Sequence, residues 1–146
     1  MTILVGIDGS EGSKRALEWA AEEAQLRSVR LRVVHAYRTE WVYYPEYAAV
    51  RTIVSTTDLE NEAKLLMDNA ISELGERTKG VDVVTEVVND ANAAHALLER
   101  IEPETTMVVI GSRGLGGFGG LLLGSVSQKV AHHAEVPVVI VPPEKA

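Results

Sequence analysis

Apolar residues recur along the chain in two rhythms, unbroken short runs and a helical repeat, and the two alternate. The run Ile3-Leu4-Val5-Gly6-Ile7 stops at Asp8-Gly9-Ser10, the pattern of a strand buried on both faces that ends in a turn. From Ser13 onward Ala16, Leu17, Ala20 and Ala24 return at helical spacing while Arg15, Glu18 and Glu22 point elsewhere, with Ser10 placed to cap the helix. Val29 to Ala36 reads as a second strand. Arg38 to Thr56 follows neither rhythm and holds Trp41, Tyr43, Tyr44 and Tyr47, four of the chain's seven aromatics. Loops of that length are uncommon unless they are functional or disordered.

Thr57-Asp58-Leu59-Glu60 has capping-box spacing, and Leu59, Ala63, Leu66, Ala70 and Leu74 then mark an amphipathic helix expected to run out near Lys79-Gly80. Val81 to Val88 carries Asp82 and Glu86 among valines, as an edge strand does. Asn89-Asp90 can cap a short helix bearing Ala94, Leu97, Leu98 and Ile101, which Pro103 ends. Thr106 to Ile110 is another unbroken run, a last helix is expected from about Gly124 to Ala134, and Val136 to Val141 closes as a fifth strand. Strands and helices in alternation predict an α/β sandwich with a mainly parallel sheet, because right-handed crossovers cover both of its faces. No repeat or linker interrupts the chain, so one domain over residues 1–146 is expected.

Composition narrows the function. At 46% hydrophobic and 24% charged the chain falls in the globular range, and without cysteine it has neither a disulfide framework nor a thiolate metal site. A net charge of -7 argues against general attraction to nucleic acid or anionic membrane. Met1 to Asp8 lacks a basic n-region and reaches an acid early, and no stretch approaches the ~20 apolar residues of a membrane span, so a soluble cytoplasmic protein is expected.

Ligands of parallel sheets bind beyond the carboxyl ends of the strands where the winding reverses, which directs attention to the ends of the first and fourth strands. The fourth is followed by Gly111 through Ser125, a segment in which seven of fifteen residues are glycine. Glycines allow successive N–H groups to converge on an anion, and a helix starting near Gly124 adds its N-terminal dipole, so phosphate is the expected guest. No Asp or Glu occurs from Thr105 to Ala134, whereas Arg113 and Lys129 do. The glycine-rich lid without a ligand is the alternative. Gly114 to Gly119 spells a dinucleotide fingerprint, but too little chain follows to build the second half of such a domain. Gly119 to Gly124 has P-loop spacing, yet Ser125 stands where the lysine belongs.

Gly111-x2-Gly114-x9-Gly124-Ser125 resembles the G-2x-G-9x-G-[S/T] pattern of the ATP-binding subgroup of the universal stress protein family. The Gly6 to Ser10 turn, the His35-Ala36 strand end, and Gly124-Ser125-Val126-Ser127 through Val136-Pro137-Val138 resemble that family too, so the similarity covers essentially the whole chain. It implies a five-stranded sheet in the order 3-2-1-4-5 with four helices, of the adenine-nucleotide alpha-hydrolase-like type. It also implies adenine near Asp8 and the main chain of Ala36, ribose near Gly111, and phosphates on Arg113, Gly114, Gly124, Ser125 and Val126. Ile7, Ser10, Ile110 and Ser127 complete the implied nucleotide site. Chemistry agrees: a carboxylate accepts hydrogen bonds from an exocyclic amine or a ribose hydroxyl, and a serine at a helix start offers N–H and O–H to phosphate.

Many family members carry a basic residue near Leu115 or Gly119. Arg113 is the only cation of the segment here, which implies modest triphosphate affinity and keeps ADP, AMP and cyclic AMP open beside ATP. Metal is expected only as Mg²⁺ or Mn²⁺ carried on the phosphates. His35 ends a strand near the site, though a lone histidine is more often structural than catalytic, and adjacent His132 and His133 face different directions on a helix. The apolar last strand, Val136 to Val141, is expected at a sheet edge, and the resemblance implies a homodimer through it. An adenine-nucleotide-binding stress-response regulator, with room for an unidentified protein partner, is therefore the leading expectation. A slow ATP hydrolase, with only Asp8 or His35 as base, and a dimeric scaffold with a vestigial site are the alternatives.

Overall fold

The computed structural model describes residues 1–38, 56–114 and 123–144, so the aromatic segment Trp41 to Tyr47 and most of the glycine-rich run lie outside the described residues. Strands β1 (Thr2–Ile7), β2 (Arg30–Tyr37), β3 (Val83–Asn89), β4 (Thr105–Gly111) and β5 (Val138–Val141) form one sheet in the order β3-β2-β1-β4-β5. Every neighbouring pair is parallel, with Ile7 opposite His35 and Gly111 opposite Val141. The expected order and element alternation are both present.

Side chains alternate across the pleat, so each central strand supplies two cores. Ile3, Val5, Leu31, Val33 and Val109 pack on one face with α1 (Glu11–Arg27) and α2 (Thr56–Ser72). Leu4, Val34, Val108 and Ile110 pack on the other with α3 (Ala93–Leu98) and α4 (Ser125–His133). Apolar demand from both sides explains why β1 and β4 read as unbroken hydrophobic runs. On α1 the buried stripe is Ser13, Ala16, Leu17, Ala20, Ala21 and Ala24, and burial of Leu17 alone contributes roughly 1.5–3 kcal/mol.

Several boundaries differ from expectation, each for a local reason. Val29 is not in β2, because its N–H still bonds the carbonyl of Ala24 at the end of α1. The capping-box residues lie within α2, which takes in Thr56 and Thr57. That helix stops at Ser72 rather than near Gly80, since Gly75 has φ 53°, a left-handed conformation that only glycine adopts freely, and a 3-10 turn, Gly75–Thr78, follows. Asn89 belongs to β3, and Asn92 caps α3 instead, its side chain accepting from the His95 N–H while Asp90 accepts from the Asn92 N–H. Ile101 lies past α3, where Arg100 and Ile101 bond three residues back in a tightened end. β5 begins at Val138 because Pro137 has no N–H to give the sheet.

Candidate functional site

β1 and β4 are neighbours whose chains leave the sheet in opposite directions, β1 into α1 on one face and β4 toward α4 on the other. A reversal of winding of this kind leaves a crevice between the carboxyl ends of the two strands. A cavity of about 290 Å³ lies there.

Ser10 fixes one wall from behind, by ordering the turn after β1. Its hydroxyl accepts the Ser13 N–H at 3.2 Å, which caps α1, and donates to Asp8 Oδ1 at 2.5 Å. The same oxygen of Asp8 accepts the Ser10 N–H at 2.9 Å, an Asx turn that fixes the half-buried carboxylate at the cavity wall. The Asp8 N–H in turn bonds Ser13 Oγ at 3.2 Å.

The opposite wall forms where the chain leaves β4. A side-chain carbon on Gly111 would lie 2.8 Å from the carbonyl oxygen of Gly12, and one on Gly12 would lie 2.6 Å from that of Arg113. The first turn of α1 and the exit of β4 therefore touch through bare backbone, a packing that needs glycine at both positions. Both ends of the glycine-rich segment meet at Ser112. Its carbonyl accepts the Gly124 N–H at 2.6 Å and the buried Ser127 hydroxyl at 2.8 Å, and Ser127 also reaches the Gly124 carbonyl at 3.0 Å. Gly124 caps α4 without a side-chain hydrogen bond, so the N–H groups of Ser125, Val126 and Ser127, which have no partner four residues back, face the cavity end of the helix.

All of the sequence-predicted site residues except Ser10 line this cavity, and Ser10 faces the other side of the turn. Sequence reasoning missed Gly6, Ser13, Val34, Ala93, Leu97 and Gln128. Val34 lies two residues before Ala36 on β2, a spacing that signals a shared face. Ala93 and Leu97 sit one helical turn apart on α3 and read as ordinary core positions. Nothing in the sequence distinguishes Ser13 or Gln128.

The described lining is polarised. Asp8 is its carboxylate and Arg113 its cation, with the positive end of α4 beside Arg113 and an apolar floor of Val34, Leu97 and Ile110 between. His35 is buried, and its Nδ1 lies 2.9 Å from the Ile7 carbonyl. A carbonyl only accepts, so Nδ1 carries the proton and the ring ties β2 to the end of β1. No group of three or more His, Asp or Glu able to hold a metal ion occurs among the described residues. No described helix is long and apolar enough to cross a membrane.

The parallel sheet and its switch-point cavity define a doubly wound α/β protein with a pocket suited to a polar, partly anionic guest. The Universal stress protein family model matches residues 1–142. The chain belongs to the universal stress protein family. A universal stress protein of Mycobacterium tuberculosis is 35% identical over 155 residues, covering 97% of this chain and 48% of that protein. The chain thus spans about half the length of the curated relatives it matches. A universal stress protein solved in complex with cAMP is 28% identical, with a TM-score of 0.63 over 97% of this chain and 96% of that one. One from Archaeoglobus fulgidus in complex with dAMP, 24% identical with a TM-score of 0.68 over 96% of each chain, shows the same fold.

Proposed function

We propose that this chain binds an adenine nucleotide, ATP foremost, between the turn after β1 and the exit of β4, and that the bound state regulates a stress response. The observation that carries the proposal is the polarised cavity at the switch point, with Asp8 on one wall and Arg113 with the start of α4 on the other. Its volume is near the lower end of the roughly 300–1,000 Å³ usual for ligand pockets, which suits a nucleoside held within and phosphates running out toward Gly114 and α4. The relative solved with cAMP supports an adenine guest.

In this reading the adenine lies on the apolar floor by Ala36, the ribose lies by Ile110 and Gly111, and the phosphates take the N–H groups of Gly114, Ser125 and Val126 with Arg113. Ile7 supplies main chain at the cavity edge. Ser10 and Ser127 act from behind, holding Asp8 and the ends of the glycine-rich segment. Mg²⁺ or Mn²⁺ would enter on the phosphate oxygens. Binding without dedicated catalysis suits the two possible bases, because His35 is buried and is not among the described residues that line the cavity, while Asp8 uses Oδ1 to hold Ser10. A regulator needs only differential affinity of its two states for the nucleotide.

The same proposal includes one domain across residues 1–146, a cytoplasmic location and a homodimer through β5. The dimer rests on β5 being an edge strand with half-buried Val138, Val139 and Ile140. Calorimetric titration with ATP, ADP, AMP and cyclic AMP in Mg²⁺ tests the nucleotide site. Saturable one-to-one binding of any of them is expected, and absence of binding by all four would leave the dimeric scaffold as the function. Phosphate release measured in the same mixtures separates binding from slow hydrolysis.

A further inference from the structure

A second cavity, of about 470 Å³, opens on the other side of the turn after β1, between α1 and α2. At their closed end Gln25 Nε2 bonds the carbonyls of Glu76 and Lys79, at 3.2 and 2.9 Å, and Arg77 pairs with Glu22 at 2.9 Å, so the 3-10 turn ties α1 to the end of α2. Toward the strand ends the wedge opens over a floor of Ile7, Leu17, Leu66 and Leu74, and Leu65 beside it is 60% exposed. This volume is within the range of small-molecule sites, and none of the residues on its floor belongs to the proposed nucleotide floor except at Ile7.

The rim decides the guest. Among the described residues Glu11, Glu18, Glu62 and Glu73 line it with one cation, Lys14, whose ammonium bridges to Glu73 at 3.0 Å. No ion pair joins Glu11, Glu18 or Glu62 to a cation among the described residues. The Lys14 pKa is raised, first by its hydrogen bond to Glu73 and then by the charges of Glu73 and Glu11, as a negative local field requires. An anionic amphiphile or a second nucleotide would meet three carboxylates and a lysine already neutralised.

We infer that this wedge is a binding site for a monovalent organic cation with an apolar body, the chain seated on Leu17, Leu66 and Leu74 and the cationic head among Glu11, Glu18 and Glu62. The site lies on the opposite side of the β1 turn and needs nothing from Arg113 or α4, although Ile7 and Ser13 line both cavities.

Decylamine and decanoate, both below their micelle concentrations, test this directly, because they share a chain and differ in the sign of the head. Decylamine is expected to saturate one site by calorimetry and to shift the methyl resonances of Leu17, Leu66 and Leu74, with decanoate at least tenfold weaker. Glu62 is exposed, so Glu62→Lys leaves the circular dichroism spectrum unchanged and lowers decylamine affinity at least tenfold. Leu66→Trp, which fills the wedge, abolishes the shifts of Leu17 and Leu74. Equal binding of the two amphiphiles, no saturable binding of decylamine, shifts confined to other regions, or unchanged affinity in Glu62→Lys would each overturn the assignment.

Discussion

Asp8 and Gly114 face each other so closely that a side-chain carbon added at Gly114 would lie 2.2 Å from Asp8 Oδ2. The carboxylate cannot simply swing away, because Ser10 holds its other oxygen through both N–H and O–H. Gly114→Ala therefore forces the β1 turn and the β4 exit apart. A loss of about 1–3 kcal/mol in stability and of at least tenfold in ATP affinity is expected. In an Asp8→Ala background the stability cost of Gly114→Ala should largely vanish, and a double-mutant cycle by urea denaturation reads that coupling. Additive costs would mean that the two residues do not meet in solution.

Gly124 behaves differently. A side-chain carbon there would sit 3.5 Å from Arg113 Cα and the Ser112 carbonyl oxygen, an ordinary contact, and α4 has no side-chain cap. Gly124→Ser should raise stability by roughly 0.5–1 kcal/mol, from a better cap and a less flexible unfolded chain. Its hydroxyl would occupy a first-turn N–H intended for phosphate, so nucleotide affinity should fall while Tm rises. Thermal denaturation and calorimetry of one sample check both directions.

Glu86 provides a pH handle far from the site. Its carboxyl is held below the ordinary glutamate range, first by the hydrogen bond from Arg100 at 2.8 Å and then by that from Arg32 at 3.1 Å, against a desolvation that pushes it up. With the folded pKa depressed, the stability Glu86 adds is complete above the ordinary glutamate value and is lost as pH falls through the lowered one. Glu86→Gln should lower Tm at pH 7 and narrow the gap between pH 7 and acid. A gap equal to wild type would show that the pair of arginines contributes nothing through this carboxylate.

The dimer proposal has a backbone test. Pro137 and Val141 turn their carbonyls to the N–H groups of Val108 in β4 and of Ser112 just past its end, so by alternation Ile140 presents its N–H to the open edge. Ile140→Pro removes that outward donor without removing a donor to β4. Sedimentation is expected to show a dimer for wild type and a monomer for the variant, with helical circular dichroism retained. A charged residue at Val139 is a poorer probe, because Val139 also packs on the core beneath α1.

Local chemistry was enough for much of this molecule. The unbroken runs at β1 and β4, the serine before α1 and the glycine before α4 act over a few residues, so strand, cap and helix start are legible without the fold. Glycine spacing likewise marked the segment after β4, and family resemblance placed Asp8 beside it. Other features depend on atoms distant in the chain. Val29 was lost to the α1 carboxyl end, Ser13 and Leu97 joined the cavity because separate helices deliver them to one crevice, and Ser127 acts through a carbonyl fifteen residues away. The wedge between α1 and α2 had no sequence signature at all. Its leucines read as core and its glutamates as a solvated face, and the space between them exists only because α1 packs chiefly on β1 and β4 while α2 packs on β2 and β3.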